Sequence, residues 1–178
     1  MADVNTTLNN KTIAILSTDG FEDSELTSPK EAVETAGATT RVVSTNSGEI
    51  EGKKGTKVAV ELLTSDANVN DFDALILPGG TINADHIRVD EDAVALVKAF
   101  KDAGKPIGVI CHGGWILTEA DVIRGVKLTS VKNVKTDLIN AGANWVDEEV
   151  VVDSGVISSR TPDDLPAFNA ALVEEFAK

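Results

Sequence analysis

The side chains best suited to covalent chemistry meet in one short stretch, Cys111-His112-Gly113-Gly114-Trp115, directly after the apolar run 105–110. Cys111 is the only cysteine of the chain, and His112 is one of two histidines. A thiol between a buried strand and a glycine-flanked turn into a helix has the layout of a nucleophile elbow, with cysteine in the serine position. Gly108 before the thiol, and Gly113 and Gly114 after it, leave room for the strained backbone of such a turn. A thiol at a helix start also feels the partial positive charge of unpaired N–H groups, which favours thiolate. Against this stands the plainer role of a lone cysteine, that of a small buried hydrophobe.

Other groups can join that thiol. Gly79-Gly80 follows the apolar run 73–77, and its backbone N–H groups, together with the amide of His112 and the turn at Gly113, would form an oxyanion hole. His112 is a candidate general base or substrate-orienting group. Glu22, Asp23 and Glu25 follow the first apolar run. A carboxylate entering a crevice beside a thiolate is expected to hold a proton, because two like charges cannot both ionise cheaply there, and Glu25 is the candidate. Asp85 and His86 lie in what reads as a loop after Gly80. No metal-ligand spacing, GxGxxG or P-loop pattern occurs, so neither a metal nor another cofactor is expected.

The elements that must position these groups read as a doubly wound α/β layout. Strands are expected at 11–18, 39–45, 73–77 and 105–110, the last two apolar on both faces, as in a parallel sheet covered on both sides. Helices are expected from Ser28-Pro29 to Gly37, over 90–103, over 115–123 and over 136–140. Residues 48–60 suggest a hairpin or irregular excursion, and 126–130 an extended segment. Ser154-Gly155 signals a hairpin between 150–153 and 156–159, and Thr161-Pro162-Asp163-Asp164 opens a last helix. Ligands of such sheets bind beyond the carboxyl ends of the strands, which is where all the candidate groups fall.

Composition sets the outer limits. At 178 residues, one domain over 11–178 is expected, preceded by a polar, frayed tail over 1–10. Hydrophobic residues at 42% and charged residues at 25% describe a globular chain, and its apolar runs are only strand-sized. A net charge of −13 argues against nucleic acid and anionic membranes as partners. One cysteine and no leader-like N-terminus point to a reducing, cytoplasmic setting.

Taken together, DGFEDSELTSP, DALILPGG, GKPIGVICHGGW and INAGANWVDEEVVVD resemble, in order and spacing, the ThiJ/PfpI family of the class I glutamine amidotransferase-like superfamily, over 11–178. The resemblance implies a flavodoxin-like three-layer α/β/α sandwich with a mostly parallel sheet, a cysteine nucleophile at Cys111, a glutamate partner at Glu25 and a histidine at His112. It implies a stress-response enzyme acting without a cofactor on reactive carbonyls, as glyoxalase or deglycase. The alternatives it carries are an intracellular cysteine peptidase, or a redox-sensing chaperone working through Cys111 oxidation. A homodimer or higher assembly is also implied. The family's usual proline after His-Gly is Gly114 here, which is expected to loosen the first helical turn. The acidic residue that the peptidase pattern takes from a neighbouring subunit corresponds to Asp85.

Overall fold

The computed structural model describes residues 6–178. Its strands are β1 (Thr12–Leu16), β2 (Thr39–Ser44), β3 (Glu49–Glu51), β4 (Lys57–Ala59), β5 (Leu62–Leu63), β6 (Ala74–Leu77), β7 (Ile107–Ile110), β8 (Lys127–Leu128), β9 (Asn144–Trp145), β10 (Val150–Asp153) and β11 (Val156–Ser159). The helices are α1 (Asp23–Thr35), α2 (Thr81–Ile87), α3 (Glu91–Asp102), α4 (Trp115–Glu119), α5 (Lys135–Asn140) and α6 (Leu165–Phe176). Seven strands form the main sheet in the order β10-β11-β7-β6-β1-β2-β5, parallel throughout except for β10 against β11.

Alternation along the pleat divides the apolar residues between two cores. Ile13, Ile15, Ala74, Ile76 and Ile110 face the layer of α1 and α6, where Leu26, Val33, Phe168 and Leu172 are buried. Ala14, Leu16, Leu75, Leu77, Ile107 and Val109 face the other layer, against Val97 and Phe100 of α3 and Leu117 of α4. Gly108 completes the first face with no side chain, because a Cβ there would collide with Leu172 of α6. The result is the flavodoxin-like α/β/α sandwich, with both faces of a parallel sheet covered. The Ser154-Gly155 hairpin forms as read, with φ of 52° and 77° at its two turn residues.

Several boundaries differ from the sequence reading. Helix α1 starts at Asp23 rather than at Ser28-Pro29, with Glu22 as the extended capping residue and Asp23 and Glu25 in the first turn. Pro29 therefore lies inside the helix, where it cannot donate to the carbonyl of Glu25. Residues 81–87 form a helix that opens at Gly80, where a loop was expected. Helix α4 stops at Glu119, and Asp121 turns back with φ 55°. Only Lys127–Leu128 of the expected extended segment 126–130 is a strand, paired with β9. Cys111–Gly114 form a 3-10 turn that runs straight into α4, with Gly114 beside Leu138.

Part of the expected frayed tail 1–10 is packed. Residues 1–5 lie outside the described residues, but Leu8 is fully buried in the α1–α6 core, and its N–H donates to the carbonyl of Ala36 at 2.9 Å. The segment before β1 is thus tied to the end of α1, because one leucine among polar residues is enough to anchor a turn. Leu8→Ala is expected to lower the unfolding free energy by about 2–5 kcal/mol in urea melts followed by circular dichroism, the cost of a cavity in a closed core. A loss within error of zero would return the segment to the frayed class.

Candidate active site

Cys111 sits at the end of β7 with φ 61°, a left-handed backbone that β-branched or bulky residues avoid, and the chain then turns through Gly113 and Gly114 into α4. The turn can be this tight because Gly113 has no Cβ: one there would lie 2.8 Å from the carbonyl oxygen of Leu77 and 3.0 Å from that of Pro78. Gly113 accordingly packs against the end of β6. The thiol is largely buried, with 9% of the residue exposed.

Glu25, in the first turn of α1, is buried beneath that thiol, and neither of its carboxylate oxygens has a well-formed hydrogen bond. The Cys111 thiol and the Gly79 amide approach it, but burial, and then the charge of Glu22, outweigh them and push its pKa up to about 7. Gly79 has to be glycine for this contact to exist, since a Cβ there would strike a Glu25 carboxylate oxygen and lie 2.8 Å from Cys111 Cβ. Its neighbour Gly80, at φ 89°, opens α2, and a Cβ on it would meet the backbone of Phe21 and Glu22. The glycine pair thus lets two turns close on each other. The amides of Gly79 and His112 are turned to the Glu25 carboxylate and the Cys111 sulfur, respectively.

The helix start does not act on the thiol alone. Burial of the thiol, then the charge on Glu25, push Cys111 up to about 12 against the pull of the His112 amide. That rise depends on where the neighbouring proton lies. Between about pH 7 and about pH 12 the pair keeps one proton, either as thiol beside carboxylate or as thiolate beside carboxylic acid.

His112 places Nδ1 3.3 Å from Cys111 Sγ, and its Nε2 lies 3.4 Å from the hydroxyl of Thr81. Burial, and then the positive charge of Lys53, lower its pKa, which keeps the ring neutral near pH 7. The ring also meets Trp115 edge-on at 5.6 Å, and Arg88 covers that indole at 5.2 Å. Asp85 does not reach His112 within the chain. It is exposed on α2, 3.8 Å from His86, and Thr81 holds the position an acid would take.

Glu22 is not a solvated loop residue. It is largely buried and bonded to Lys53 at 2.6 Å and to Lys54 at 3.4 Å, both from the tip of the β3–β4 hairpin. Asp23 holds that tip, accepting from the amides of Lys54 and Thr56 at 3.0 Å each. These two lysines, Thr81 and Asn83 are site residues that the sequence reading missed. The Gly52-Lys53-Lys54-Gly55 turn was visible as a hairpin tip, but nothing local says where a hairpin folds down. Among the described residues, no group of three or more His, Cys, Asp or Glu side chains is arranged to hold a metal ion, and no helix is long and apolar enough to cross a membrane.

A raised carboxyl pKa has a sign in stability. Below about pH 4.5 Glu25 is neutral both folded and unfolded; as pH rises through about 7 the unfolded chain gives up the proton first, so stability is lost. Glu25→Gln removes this cost, of about 3 kcal/mol. Thermal melts of both proteins should show the variant gaining on the native chain from the acid to the alkaline side of that window. A constant gap across it would contradict the buried, strained carboxylate.

Comparison with known proteins supplies the family. The family model described as the DJ-1/PfpI family matches residues 11–175. "Putative cysteine protease YraA" of Bacillus subtilis is 46% identical over 160 residues, covering 89% of this chain and 94% of that protein. "Protein/nucleic acid deglycase 2" of Escherichia coli is 47% identical over 162 residues, again 89% of this chain and 94% of its own. The crystal structure of a ThiJ/PfpI domain protein from Brachyspira murdochii superposes with a TM-score of 0.88 at 28% identity, covering 94% of this chain and 96% of that one. On its fold, its cysteine turn and these matches along nearly the whole described chain, the protein belongs to the DJ-1/PfpI family.

Proposed function

We propose that the protein is a cofactor-independent enzyme acting on reactive carbonyls, with Cys111 as nucleophile and Glu25 as its acid and base. The observation that carries this reading is the carboxyl of Glu25, buried against the thiol and titrating at about 7, where a proton can be given and taken at neutral pH. The relative named as a deglycase supports the same chemistry. A small dicarbonyl such as methylglyoxal, or a carbonyl adduct on a peptide, is the substrate class; the net charge of −13 disfavours a nucleic acid.

With the shared proton on Glu25, the Cys111 thiolate adds to the aldehyde carbon, forming the C–S bond, and the carbonyl oxygen takes the proton to give a hemithioacetal. The Glu25 carboxylate left behind removes the proton from that carbon. Reprotonation at the neighbouring carbon turns the resulting enediol into a hydroxyacyl thioester. Water then cleaves the C–S bond, releasing the hydroxy acid and restoring the thiol. Water adds and nothing is oxidised overall. In this reading His112, whose Nδ1 lies 3.3 Å from the sulfur and whose pKa burial lowers, activates that water.

A second reading is a cysteine peptidase, favoured by the same 3.3 Å contact and by the relative named as a cysteine protease. It requires His112 to be oriented and charged in turn. Within the chain its second nitrogen meets the Thr81 hydroxyl, so an acidic partner for this reading would come from a second copy of the chain in a homodimer or higher assembly.

Lactate production from methylglyoxal by the purified protein tests the first reading. Cys111→Ser is expected to abolish it, and Glu25→Gln to lower kcat by about 100-fold or more. The rate should rise with pH through about 7, as the pair sheds its first proton, and then level off. Native protein no faster than Cys111→Ser would end this reading, and cleavage of casein by the native chain alone would promote the second.

A further inference from the structure

One buried side chain near this site has a bonding pattern that packing does not call for. Asn83, the third residue of α2, is 1% exposed and uses its whole amide. Its Oδ1 accepts from the amide of Thr18 at 2.8 Å and the hydroxyl of Ser17 at 3.3 Å. Its Nδ2 donates to the carbonyls of Pro78 at 3.2 Å and Gly79 at 3.0 Å. Orientation is fixed by the partners, because a backbone N–H can only donate and a carbonyl can only accept. The residue thus staples the carboxyl ends of two neighbouring parallel strands, β1 and β6, just where each chain leaves the sheet.

The staple leads directly to the reacting pair. The carbonyl of Gly79 accepts a second bond, from the amide of Glu22 at 3.3 Å, and so ties the start of α1 to the same turn. Gly79 also lies in van der Waals contact range of Glu25 and Cys111, with no room for even one added carbon. No well-formed hydrogen bond holds either Glu25 oxygen, and the one amide turned to it is that of Gly79, so its distance from the sulfur follows the backbone around it. We infer that Asn83 is a positioning residue: by fixing Gly79 between the ends of β1 and β6, it holds Glu25 against Cys111 closely enough for the two to share one proton. The inference rests on the reading of those two residues as the reacting pair, and it assigns Asn83 no contact with substrate.

The test uses the full chain and a reagent that needs no catalysis: the rate of Cys111 alkylation by iodoacetamide as a function of pH. In the native protein the profile should inflect near pH 7, where the pair sheds its first proton, and climb again only at far higher pH. Asn83→Asp keeps the shape and the acceptor toward Thr18 but loses both donors. It is expected to shift the lower inflection by about one pH unit or more and to bring the thiol back toward its ordinary value of about 8.5. Asn83→Ser, smaller and unable to reach both strands, should do the same and serves if the charged variant fails to fold, as judged by circular dichroism. Ser17→Ala, losing a single long bond, should leave the profile in place. An unchanged profile in a folded Asn83 variant overturns the inference. So does an equal shift in Ser17→Ala, which would mark general loosening. Because alkylation does not depend on turnover, a native protein inactive on methylglyoxal but showing these shifts would discard the proposed reaction and keep the role of Asn83.

Discussion

Two acids, the thiol of Cys111 and the carboxyl of Glu25, are buried face to face in a space that tolerates only one negative charge. Most of the local structure makes sense as the means of putting them there. The left-handed backbone at Cys111 lifts the sulfur off the end of β7. The early start of α1 brings Glu25 into the first turn, and Pro29 leaves the carbonyl of that same residue without its helical donor. Gly79 and Gly113 remove the two side chains that would hold these turns apart. None of these features is comfortable alone, and strain of this kind persists only where the surrounding fold over-determines it.

The surrounding fold does so through the sheet. Strands β1, β6 and β7 lie side by side and parallel, so their carboxyl ends open onto one edge, and the segments that follow them carry Glu25, Gly79 and Cys111 in turn. Charge at the rim then adds to the effect of burial: Glu22 lifts Glu25 further, while Lys53 pairs with Glu22 and lowers His112 further. The opposing influences sit on different elements, α1 and the β3–β4 hairpin.

Much of this was legible from residue order. The buried strands, the cysteine turn and the candidacy of Glu25 follow from apolar runs ending in glycine, cysteine and acidic residues. What escaped reading depends on contacts distant in sequence. Helix α1 was begun too late because Ser28-Pro29 imitates a helix start, whereas the real one is fixed by packing of Glu25 and Leu26 against the sheet. Helix α2 was missed because it is short and its anchor is a polar residue, Asn83, whose burial no local pattern signals. The depth at which the thiol is buried was not legible either, because a helix start is visible in sequence and the packing around a side chain is not.

As a sheet the β3–β4 hairpin pairs only with itself, and it is fastened beside the site by a few bonds, among them those that the amides of Lys54 and Thr56 donate to the Asp23 carboxylate. The side chains at the tip complete the fastening, since Lys53 and Lys54 both pair with Glu22 just before α1. The hairpin is thus a clasp whose closing charge also acts on the reacting groups, because Lys53 meets the fields of Glu25, Cys111 and His112 as well as that of Glu22. Opening the clasp and changing the charge around the sulfur are therefore one event rather than two.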